Sequence, residues 1–365
     1  MVLHSLVLLA ALPALAVGAT VIHRKLRQRK IAACLRIGSA NGIVESRFVS
    51  IGGIEQWIGI RGEDRSNPVL LILHGGPGAS CSIFTPRICT WEKHFTIVHW
   101  DQRGSGKTLR RTGKHGTSAL TLDRLTCDGI EVAEYVRRYL QVSKVVLMGQ
   151  SFGSAIALPM LKIRPDLFSA YVGTDQNIGM VRGRNEAHSA TLKRLRSAGL
   201  NKGVSALERI GPNPSRWTAD DYFTNAKWTM KSDPPACRRI MQLLKSSIWY
   251  SPDHTLIDIA NFSRGMHFSL EHLLPDAVRF DAWTQSIHFE MPFFIFQGER
   301  DVLTSTALAE AYFRDVTAPV KGMTLIRDSG HFAAFLRADQ FLAELLARVR
   351  PLVAASESAA TAVSV

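Results

Sequence analysis

The segment KVVLMGQSFGSAIALPMLKI, residues 144–163, decides the fold class that this sequence predicts. Its first half is a continuous apolar run, which is typical of a strand buried on both faces of a parallel sheet. Its second half is helical in pattern, and Gly149 and Gly153 flank Ser151 at the junction. A tight strand-to-helix turn needs small residues on both sides, and it lifts the serine hydroxyl clear of the sheet at the positive end of the helix. The alternative interpretation of this segment is a glycine-rich strand-to-helix turn in which the serine has no function.

Similar apolar runs recur on both sides of this turn and alternate with helical patterns. The segments RFVSIGG and EQWIGIRG predict a β-hairpin with Gly52 and Gly53 at its turn. Further buried strands are predicted in PVLLILHGG, FTIVHWDQ, LFSAYVGT, MPFFIFQG and MTLIRDSG. The clearest helix, LDRLTCDGIEVAEYVRRYL, spans residues 122–140. This alternation favours an α/β fold with a mostly parallel sheet flanked by helices.

The alternation is interrupted between residues 177 and 290, where the sequence is helix-like, basic and aromatic. An insertion of this kind inside an α/β domain predicts a helical cap over one end of the sheet. We therefore expect five segments: an N-terminal hydrophobic anchor with a basic flank (1–36), the first part of the α/β core (37–176), the helical cap (177–290), the second part of the core (291–352) and a disordered tail (353–365).

Composition excludes several classes of protein. Hydrophobic residues make up 46% and charged residues 21% of the chain, as in an ordinary globular protein. The net charge of +13 is concentrated near the N-terminus, because residues 23–36 hold six Lys or Arg and no acid. A basic stripe interleaved with aromatic residues does not follow, so we do not expect nucleic-acid binding. Five cysteines without a Cys-x-x-Cys spacing argue against a disulfide framework and a zinc site.

The N-terminal segment predicts an association with a membrane. Residues 6–22 carry no charge, and their length is near the lower limit of about 17 residues for a membrane-spanning helix. The basic cluster follows this segment. By the positive-inside rule, the rest of the chain after the segment should therefore lie on the cytoplasmic side. A cleavable signal peptide with export is the alternative, since Ala14-Leu15-Ala16 fits a cleavage site.

Two further polar residues follow predicted strands, and together with Ser151 they form a candidate catalytic triad. Asp301 comes after the strand PFFIFQ, and His331 comes after MTLIRD. A histidine in such a loop can serve as base and then acid for the serine, while a carboxylate holds its tautomer. Asp175, after the strand AYVGT, is the reserve candidate for this acid. The alternative for Asp301 is helix capping or a surface charge.

The loop in LILHGGPGAS, residues 71–80, has few side chains that could obstruct access to its backbone. Glycines let backbone N–H groups approach a ligand closely, which suits an oxyanion hole. We expect the N–H of Phe152 and that of Gly76, or alternatively Gly75, to donate to a developing oxyanion. The turn Asp101–Gly106 is expected to hold this loop rather than to contact substrate.

Five short motifs together resemble one known family. They are HGGPG (74–78), DQRG (101–104), GQSFGS (149–154), GERD (298–301) and GHF (330–332). In this combination they resemble the proline iminopeptidase family of α/β-hydrolases, over roughly residues 45 to 350. The resemblance implies an α/β-hydrolase fold with a helical cap, Ser151 as nucleophile, His331 as base and Asp301 as its partner. It also implies a small-molecule or short-peptide substrate and neither a metal nor a cofactor.

The resemblance is weaker where the family binds the substrate's free amino group. Family members use cap glutamates, one of them in a Trp-x-x-Trp-Glu stretch. The matching stretch here begins at Trp228 and has Lys231 and Ser232 where the family has tryptophan and glutamate. Asp233, Glu186 and Glu208 are the remaining acidic candidates for substrate binding, together with Trp228. The alternative for Glu186 and Glu208, which lie on helical stretches, is a solvated surface.

Three functions therefore remain open at the level of the sequence. The first is an aminopeptidase that releases N-terminal residues from short peptides through an acyl-enzyme. The second is a membrane-tethered esterase or amidase that acts on a neutral acyl substrate. The third, from a different class, is a non-catalytic binding protein with a hydrolase fold.

Overall fold

The computed structural model describes residues 2–114 and 120–354. Within these residues one eight-stranded sheet has the order β1-β2-β4-β3-β5-β6-β7-β8. Its strands are β1 (Ile43–Ile51), β2 (Ile54–Gly62), β3 (Val69–Leu73), β4 (Thr96–Asp101), β5 (Val145–Gln150), β6 (Phe168–Thr174), β7 (Phe293–Gly298) and β8 (Lys321–Ile326). The first two strands form the predicted antiparallel hairpin, β2 pairs antiparallel with β4, and the remaining pairs are parallel.

Helices cover both faces of the sheet. The helices before the insertion are α1 (Val2–Cys34), α2 (Thr85–Ile88), α3 (Gly106–Thr112), α4 (Leu122–Leu140) and α5 (Phe152–Ile163). Alternate residues of β3 point to opposite faces. Leu71 packs in the core cluster that contains α4 and α5, and Leu70 packs in the cluster on the other face. This layered arrangement confirms the predicted fold class.

Six helices lie between β6 and β7, and we refer to them as the cap helices. They are α6 (Arg184–Ser197), α7 (Asn201–Ile210), α8 (Ala219–Lys231), α9 (Pro234–Tyr250), α10 (Leu256–Arg279) and α11 (Ala282–Gln285). Both α8 and α10 begin with a capping box, in which Thr218 pairs with Asp221 and Thr255 pairs with Asp258. These reciprocal bonds satisfy backbone groups that the first helical turn leaves without partners.

Helix α10 packs directly on the glycine-rich loops that follow β3 and β4. Ser269 Oγ donates a hydrogen bond to Gly104 O at 3.0 Å. A Cβ added to Gly78 would lie 2.5 Å from Gly265 O, so the two backbones approach at a distance that only glycine permits. The position of a cap helix is therefore coupled to the loop after β3.

The structure contradicts the predicted membrane anchor. Within residues 2–114 and 120–354, no helix has both the length and the apolar character needed to cross a membrane. The prediction of a single-pass protein with its catalytic part on the cytoplasmic side is therefore wrong. Helix α1 continues through the basic cluster to Cys34, and the alternative cleavage site, Ala14–Leu15–Ala16, lies within the same helix.

The basic cluster is instead used to bind the C-terminal end of α9. Arg24 donates to Trp249 O at 2.9 Å and to His254 O at 2.8 Å, and Gln28 donates to Ser251 O at 2.7 Å. The side chains of Arg24 and Gln28 are buried by this contact. Cations and amide donors suit the end of a helix, because its last carbonyl groups have no partner within the helix. The sequence pattern predicted a membrane anchor because it does not show the contacts that Arg24 and Gln28 make to residues far away in the chain.

The remaining helices complete the second part of the core. They are α12 (Thr306–Asp315), α13 (Ala333–Leu336) and α14 (Ala338–Glu344), and a π-helical turn (Leu345–Val349) follows. Residues 353 and 354 still belong to the last helical segment. The rest of the predicted disordered tail, residues 355–365, lies outside the described residues.

Candidate active site

Ser151 lies at the turn between β5 and α5 in a strained backbone conformation. Its φ is 53°, in the left-handed region that residues with a side chain seldom adopt. Its backbone N–H donates to Thr174 O at 3.0 Å, which ties the turn to the end of β6. A Cβ added to Gly153 would lie 2.1 Å from Leu73 O, so only glycine fits there. The turn is therefore held against both neighbouring strands.

The imidazole of His331 is hydrogen-bonded to a carboxylate. Its Nδ1–H donates to Asp301 Oδ2 at 2.8 Å. The other oxygen, Oδ1, accepts the backbone N–H groups of Leu303 and Thr304 at 2.9 and 3.1 Å. Thr304 Oγ1 also donates to Oδ2 at 2.7 Å. These donors fix the carboxylate of Asp301, and its bond to Nδ1 fixes the orientation of the imidazole.

A second carboxylate, that of Asp175, lies beside this pair. It is fully buried, and its Oδ2 accepts the backbone N–H of Phe332 and the side-chain amide of Gln150, both at 3.0 Å. Its Oδ1 accepts the N–H of Ala333 at 3.3 Å. Asp175 is therefore bonded to the backbone that follows His331, whereas Asp301 is bonded to the ring.

Asp175, Asp301 and His331 are close enough to be considered as a metal site. One ligand atom from each lies within 4.8 Å of the other two. However, both carboxylates already accept N–H groups, and the Nδ1 atom of His331 is used in the bond to Asp301. Hydrogen bonds therefore account for the arrangement of these three side chains without an ion.

The two acids shift the proton affinity of the histidine. Burial by itself lowers the pKa of His331, but the carboxylates of Asp301 and Asp175 outweigh burial and raise this pKa to about 9. Burial also raises the pKa of Asp175, against the lowering effect of His331. The two acids therefore favour the protonated form of the imidazole.

The glycine-rich loop after β3 lies against Ser151. A Cβ added to Gly75 would be 2.7 Å from the Cβ of Ser151, so the loop backbone passes next to the serine. The N–H of Gly75 donates to Gln150 Oε1 at 3.1 Å. The next residue, Gly76, has a φ of 115°, a conformation that favours glycine.

The turn after β4 is hydrogen-bonded to the glycine-rich loop that follows β3. Gln102 binds His74 twice, because its backbone N–H donates to Nε2 at 3.2 Å and its side-chain amide donates to the carbonyl at 2.9 Å. His74 in turn donates from Nδ1 to Gly75 O at 3.0 Å. Burial lowers the pKa of His74, which keeps the ring neutral and able to accept at Nε2 while it donates at Nδ1.

The residues predicted to bind substrate have other contacts in the structure. Glu186 is exposed in the first turn of α6. Trp228 packs on α7, where a Cβ added to Gly203 would lie 2.5 Å from the indole ring. Asp233 caps α9 by accepting the N–H of Ala236 at 3.1 Å. Among the described residues, no hydrogen bond or ion pair joins these three predicted residues to one another.

Two buried glutamines at strand ends were missed by the sequence analysis. Gln150 joins Asp175 to the loop after β3 through the two bonds described above. Gln297, at the end of β7, donates to Thr304 O at 2.8 Å and accepts the N–H of Gln176 at 2.8 Å. A polar residue at the end of an otherwise apolar strand was the available signal, because burying an amide is costly unless it is hydrogen-bonded.

Two of the cavities formed by the described residues are large, and both lie away from this site. One, of about 810 Å³, is formed by the β1–β2 hairpin, α3 and the loop before α10. The other, of about 650 Å³, lies between the start of α8 and α10. None of Ser151, Asp301 and His331 lines either cavity.

Comparison with known sequences agrees with this geometry. A family model described as the alpha/beta hydrolase fold matches residues 68–338. The chain is 30% identical over 310 residues to a probable aminopeptidase, YbaC, of Bacillus subtilis, which covers 81% of this chain and 93% of that protein. It is also 33% identical over 115 residues to a proline iminopeptidase of Thermoplasma volcanium, covering 31% of this chain and 36% of that protein.

Solved structures support the same fold. A proline iminopeptidase-related protein from Thermus thermophilus has a TM-score of 0.58 at 20% identity, over 85% of this chain and 99% of that chain. The proline iminopeptidase of Mycobacterium smegmatis also has a TM-score of 0.58, at 17% identity, over 86% of this chain and 100% of that chain. The sequence match and the shared fold lead to one conclusion: the chain belongs to the α/β-hydrolase family, as a member that resembles the proline iminopeptidases.

Proposed function

We propose that this protein is a serine hydrolase that releases N-terminal residues from short peptides through an acyl-enzyme intermediate. The observation that carries the proposal is the 2.8 Å bond between His331 Nδ1 and Asp301 Oδ2, together with the strained turn that holds Ser151. This combination supplies a base of fixed orientation and a serine at a strand-to-helix turn, which nucleophilic acyl transfer requires. The aminopeptidase among the similar sequences supports the choice of peptides.

Each residue has a role in the proposed reaction. Ser151 Oγ attacks the carbonyl carbon of the first peptide bond, and the neutral His331 takes the serine proton on Nε2. The backbone N–H groups of Phe152 and Gly76 donate to the oxyanion that forms, and one such donor is typically worth about 10²–10³ in rate. Gly75 is the alternative donor, but its N–H already binds Gln150.

His331 carries the transferred proton in both half-reactions. In the first, the C–O bond to Ser151 forms, the C–N bond breaks, and His331 gives its proton to the leaving amine. In the second, water attacks the acyl carbon while His331 takes a proton from the water. The C–O bond to Ser151 then breaks, the acid product leaves, and His331 returns the proton to Ser151 Oγ. Asp301 keeps the imidazole in one orientation and stabilises its charged form in both steps.

An esterase or amidase that acts on a neutral acyl group is the second candidate. The contacts of the residues predicted to bind an ammonium group favour it. Asp233 is engaged as a helix cap, Glu186 faces solvent, and Lys231 lies over the ring of Trp228 at 5.1 Å. A lysine at that point would repel a substrate ammonium. A non-catalytic binding protein is the third candidate, and it predicts that Ser151 is dispensable.

A substrate panel with the full chain and its Ser151→Ala variant tests these candidates. We would compare kcat/KM for proline p-nitroanilide, its N-acylated form and a series of p-nitrophenyl esters. The proposed aminopeptidase predicts a strong preference for the free-amine substrate, and no turnover above background in the variant. Faster turnover of neutral esters, with no gain from a free amine, would support the esterase instead. Full activity in a folded Ser151→Ala variant would refute both enzymatic functions.

A further inference from the structure

Three buried polar atoms between α6 and α8 have no hydrogen-bond partner among the described residues. They are Arg184 Nε, His188 Nδ1 and Thr229 Oγ1. His188 and Thr229 are more than nine-tenths buried, with 6% and 5% of their surfaces exposed. Burying a polar group without a partner is costly, so such atoms usually have a ligand or a water bound to them.

The side chains that carry these atoms lie on two helices that contact each other. Arg184 and His188 are four residues apart on α6, as are Asn225 and Thr229 on α8, so each pair lies on one helix face. The guanidinium of Arg184 donates from Nη2 to Asn225 Oδ1. We call these four residues the α6–α8 seam.

Arg184 is the charged member of the seam, and it has no carboxylate partner. Two nearby arginines differ, because Arg182 is paired with Asp281 and Arg196 with Glu208, both at 2.6 Å. Arg194 on the same helix resembles Arg184, since it donates to Ser232 Oγ and has no carboxylate partner among the described residues. No carboxylate of the described residues lies within 4.0 Å of the Arg184 guanidinium, which is 4.8 Å from the Trp217 ring centroid. Burial lowers the pKa of Arg184 to about 10. Arg184 is a partly buried cation without a counter-charge, so its surroundings are suited to an anion.

The seam begins beside the elements that carry both acids of the candidate active site. Arg184 is nine residues after Asp175 in the chain. The preceding residue, Gly183, faces Leu308, since a Cβ added there would lie 3.2 Å from Leu308 Cδ1. Leu308 lies in α12, the helix that begins five residues after Asp301. The start of α6 therefore packs on α12, whose first residue, Thr306, accepts the backbone N–H of Asp301.

We propose that the α6–α8 seam is a carboxylate-binding site that recognises an anionic group of the substrate. Arg184 Nε and Thr229 Oγ1 donate to the carboxylate, with His188 Nδ1 as a third donor when it carries the proton. The inference rests on the proposed function, because it assigns the carboxylate to the molecule hydrolysed at Ser151. In a short peptide this group is the C-terminal carboxylate, which would select di- and tripeptides; in an ester it is a free acid on the acyl chain.

Paired substrates separate these two sources of the carboxylate. The first pair is the dipeptide Pro-Ala and its C-terminal amide, and the second is p-nitrophenyl acetate and the mono-p-nitrophenyl ester of succinic acid. The full chain should prefer the acid in at least one pair by roughly 10–100-fold in kcat/KM, the range for a hydrogen bond to a charged group. The pair that shows the preference identifies the source.

Substitutions of seam residues test whether the preference for the acid depends on the α6–α8 seam. Arg184→Gln should abolish the preference for the acid, because it removes the positive charge of the seam. Arg196→Gln is the matched control, since it removes an arginine of the same helix that is paired outside the seam. Thr229→Val removes one donor and keeps the charge, so it should reduce the preference severalfold even if Arg184→Gln does not fold. Equal preference in wild type and in every folded seam variant would overturn the proposal.

A binding measurement keeps the inference separate from catalysis. The Ser151→Ala chain should be stabilised against heat by Pro-Ala or by succinate, and much less by the corresponding amides. The combined Ser151→Ala and Arg184→Gln variant should lose this difference. If acids and amides stabilise equally, water alone satisfies the seam and the proposal fails, even when Ser151-dependent turnover is present. If the difference is present without turnover, the seam is supported and the proposed function fails.

Discussion

Asp175 accepts the backbone N–H of Phe332 at 3.0 Å, so the second acid of the site holds the chain next to the catalytic histidine candidate. Asp301, in contrast, accepts the N–H of the imidazole itself at 2.8 Å. The two carboxylates thus act on His331 in different ways. One fixes the ring and the other fixes the loop that carries it.

Replacing each acid by its amide should separate these two effects. Asp301→Asn should lower kcat by about 10³–10⁴, because an amide does not hold the imidazole in the tautomer that the reaction needs. Asp175→Asn should lower kcat far less, by under about tenfold, and should mainly reduce the melting temperature. The measurement is kcat and thermal unfolding of both full-length variants. Comparable losses of kcat would mean that the acid partner was assigned wrongly.

The pH dependence of kcat/KM should be set by His331. A general base must be neutral, and the two carboxylates raise the pKa of this imidazole to about 9. The value of kcat/KM should therefore increase with pH through the neutral range and level off above about pH 9. In Asp301→Asn the midpoint should move to lower pH, since one of the raising charges is lost. A wild-type midpoint at or below pH 6.5 would contradict this account.

The same pKa shift makes a prediction about stability with a defined sign. His331 titrates near 6.5 in the unfolded chain and near 9 in the folded one. Its protonation therefore stabilises the fold fully below pH 6.5, and this stabilisation is lost as the pH rises through 9. The unfolding free energy of wild type relative to His331→Gln should fall between these two pH values. A difference that is constant over this window would argue against a raised pKa.

The buried ion pair between Arg103 and Asp128 should contribute strongly to stability. Their contact is 2.9 Å, and the two side chains are only 3% and 0% exposed. Arg103→Met removes one of the two arginines bound to the buried Asp128 carboxylate and leaves Arg124, which contacts it at 2.8 Å. The loss of unfolding free energy should therefore be about 3 kcal/mol, the lower end of the range for breaking a buried pair. Arg111→Met is the control, because its pair with Glu55 is exposed and should be worth about 0–1 kcal/mol. Urea unfolding measures both, and equal losses would show that burial of the pair does not matter.

Helix α1 should stabilise the end of α9 through Arg24. Its two bonds to backbone carbonyls are made by a buried guanidinium, and hydrogen bonds to charged groups are worth about 1.5–3 kcal/mol each. Arg24→Met should therefore increase amide hydrogen exchange around residues 249–254. Arg29→Met, which removes an exposed charge from the same helix, should not. Unchanged exchange in Arg24→Met would mean that this contact is unimportant in solution.

The parts of the fold that depend on local pattern were predictable from the sequence. Continuous apolar runs predicted the parallel strands because these strands are buried on both faces, as β3 and β4 are along their whole length. The hairpin was predicted from the turn at Gly52 and Gly53. The GQSFG turn was recognisable because its two glycines are required by close packing, as the 2.1 Å approach of an added Cβ at Gly153 to Leu73 O shows. Each of these sequence patterns lies within one short segment of the chain.

Contacts between distant segments were not predictable in the same way. The basic cluster after the apolar N-terminal stretch resembled a juxtamembrane flank, yet Arg24 is bonded to residues 225 and 230 positions away. The helical pattern of the cap likewise does not reveal which side chains face one another. Asp233 and Trp228 were considered for substrate binding, but the structure gives them a capping bond and a helix–helix contact. Such pairings depend on tertiary packing, which a single sequence does not encode in a local pattern.

The most direct test of the central proposal is to identify the residue that forms a covalent bond with a serine-directed reagent. The full chain would be incubated with a fluorophosphonate, and intact mass and peptide mapping would follow the adduct. We predict one adduct per chain, located on Ser151, and no adduct in the folded Ser151→Ala variant. The rate of labelling should fall sharply in His331→Ala, because the hydroxyl loses its base. An adduct on another residue, or undiminished labelling of Ser151→Ala, would contradict the account.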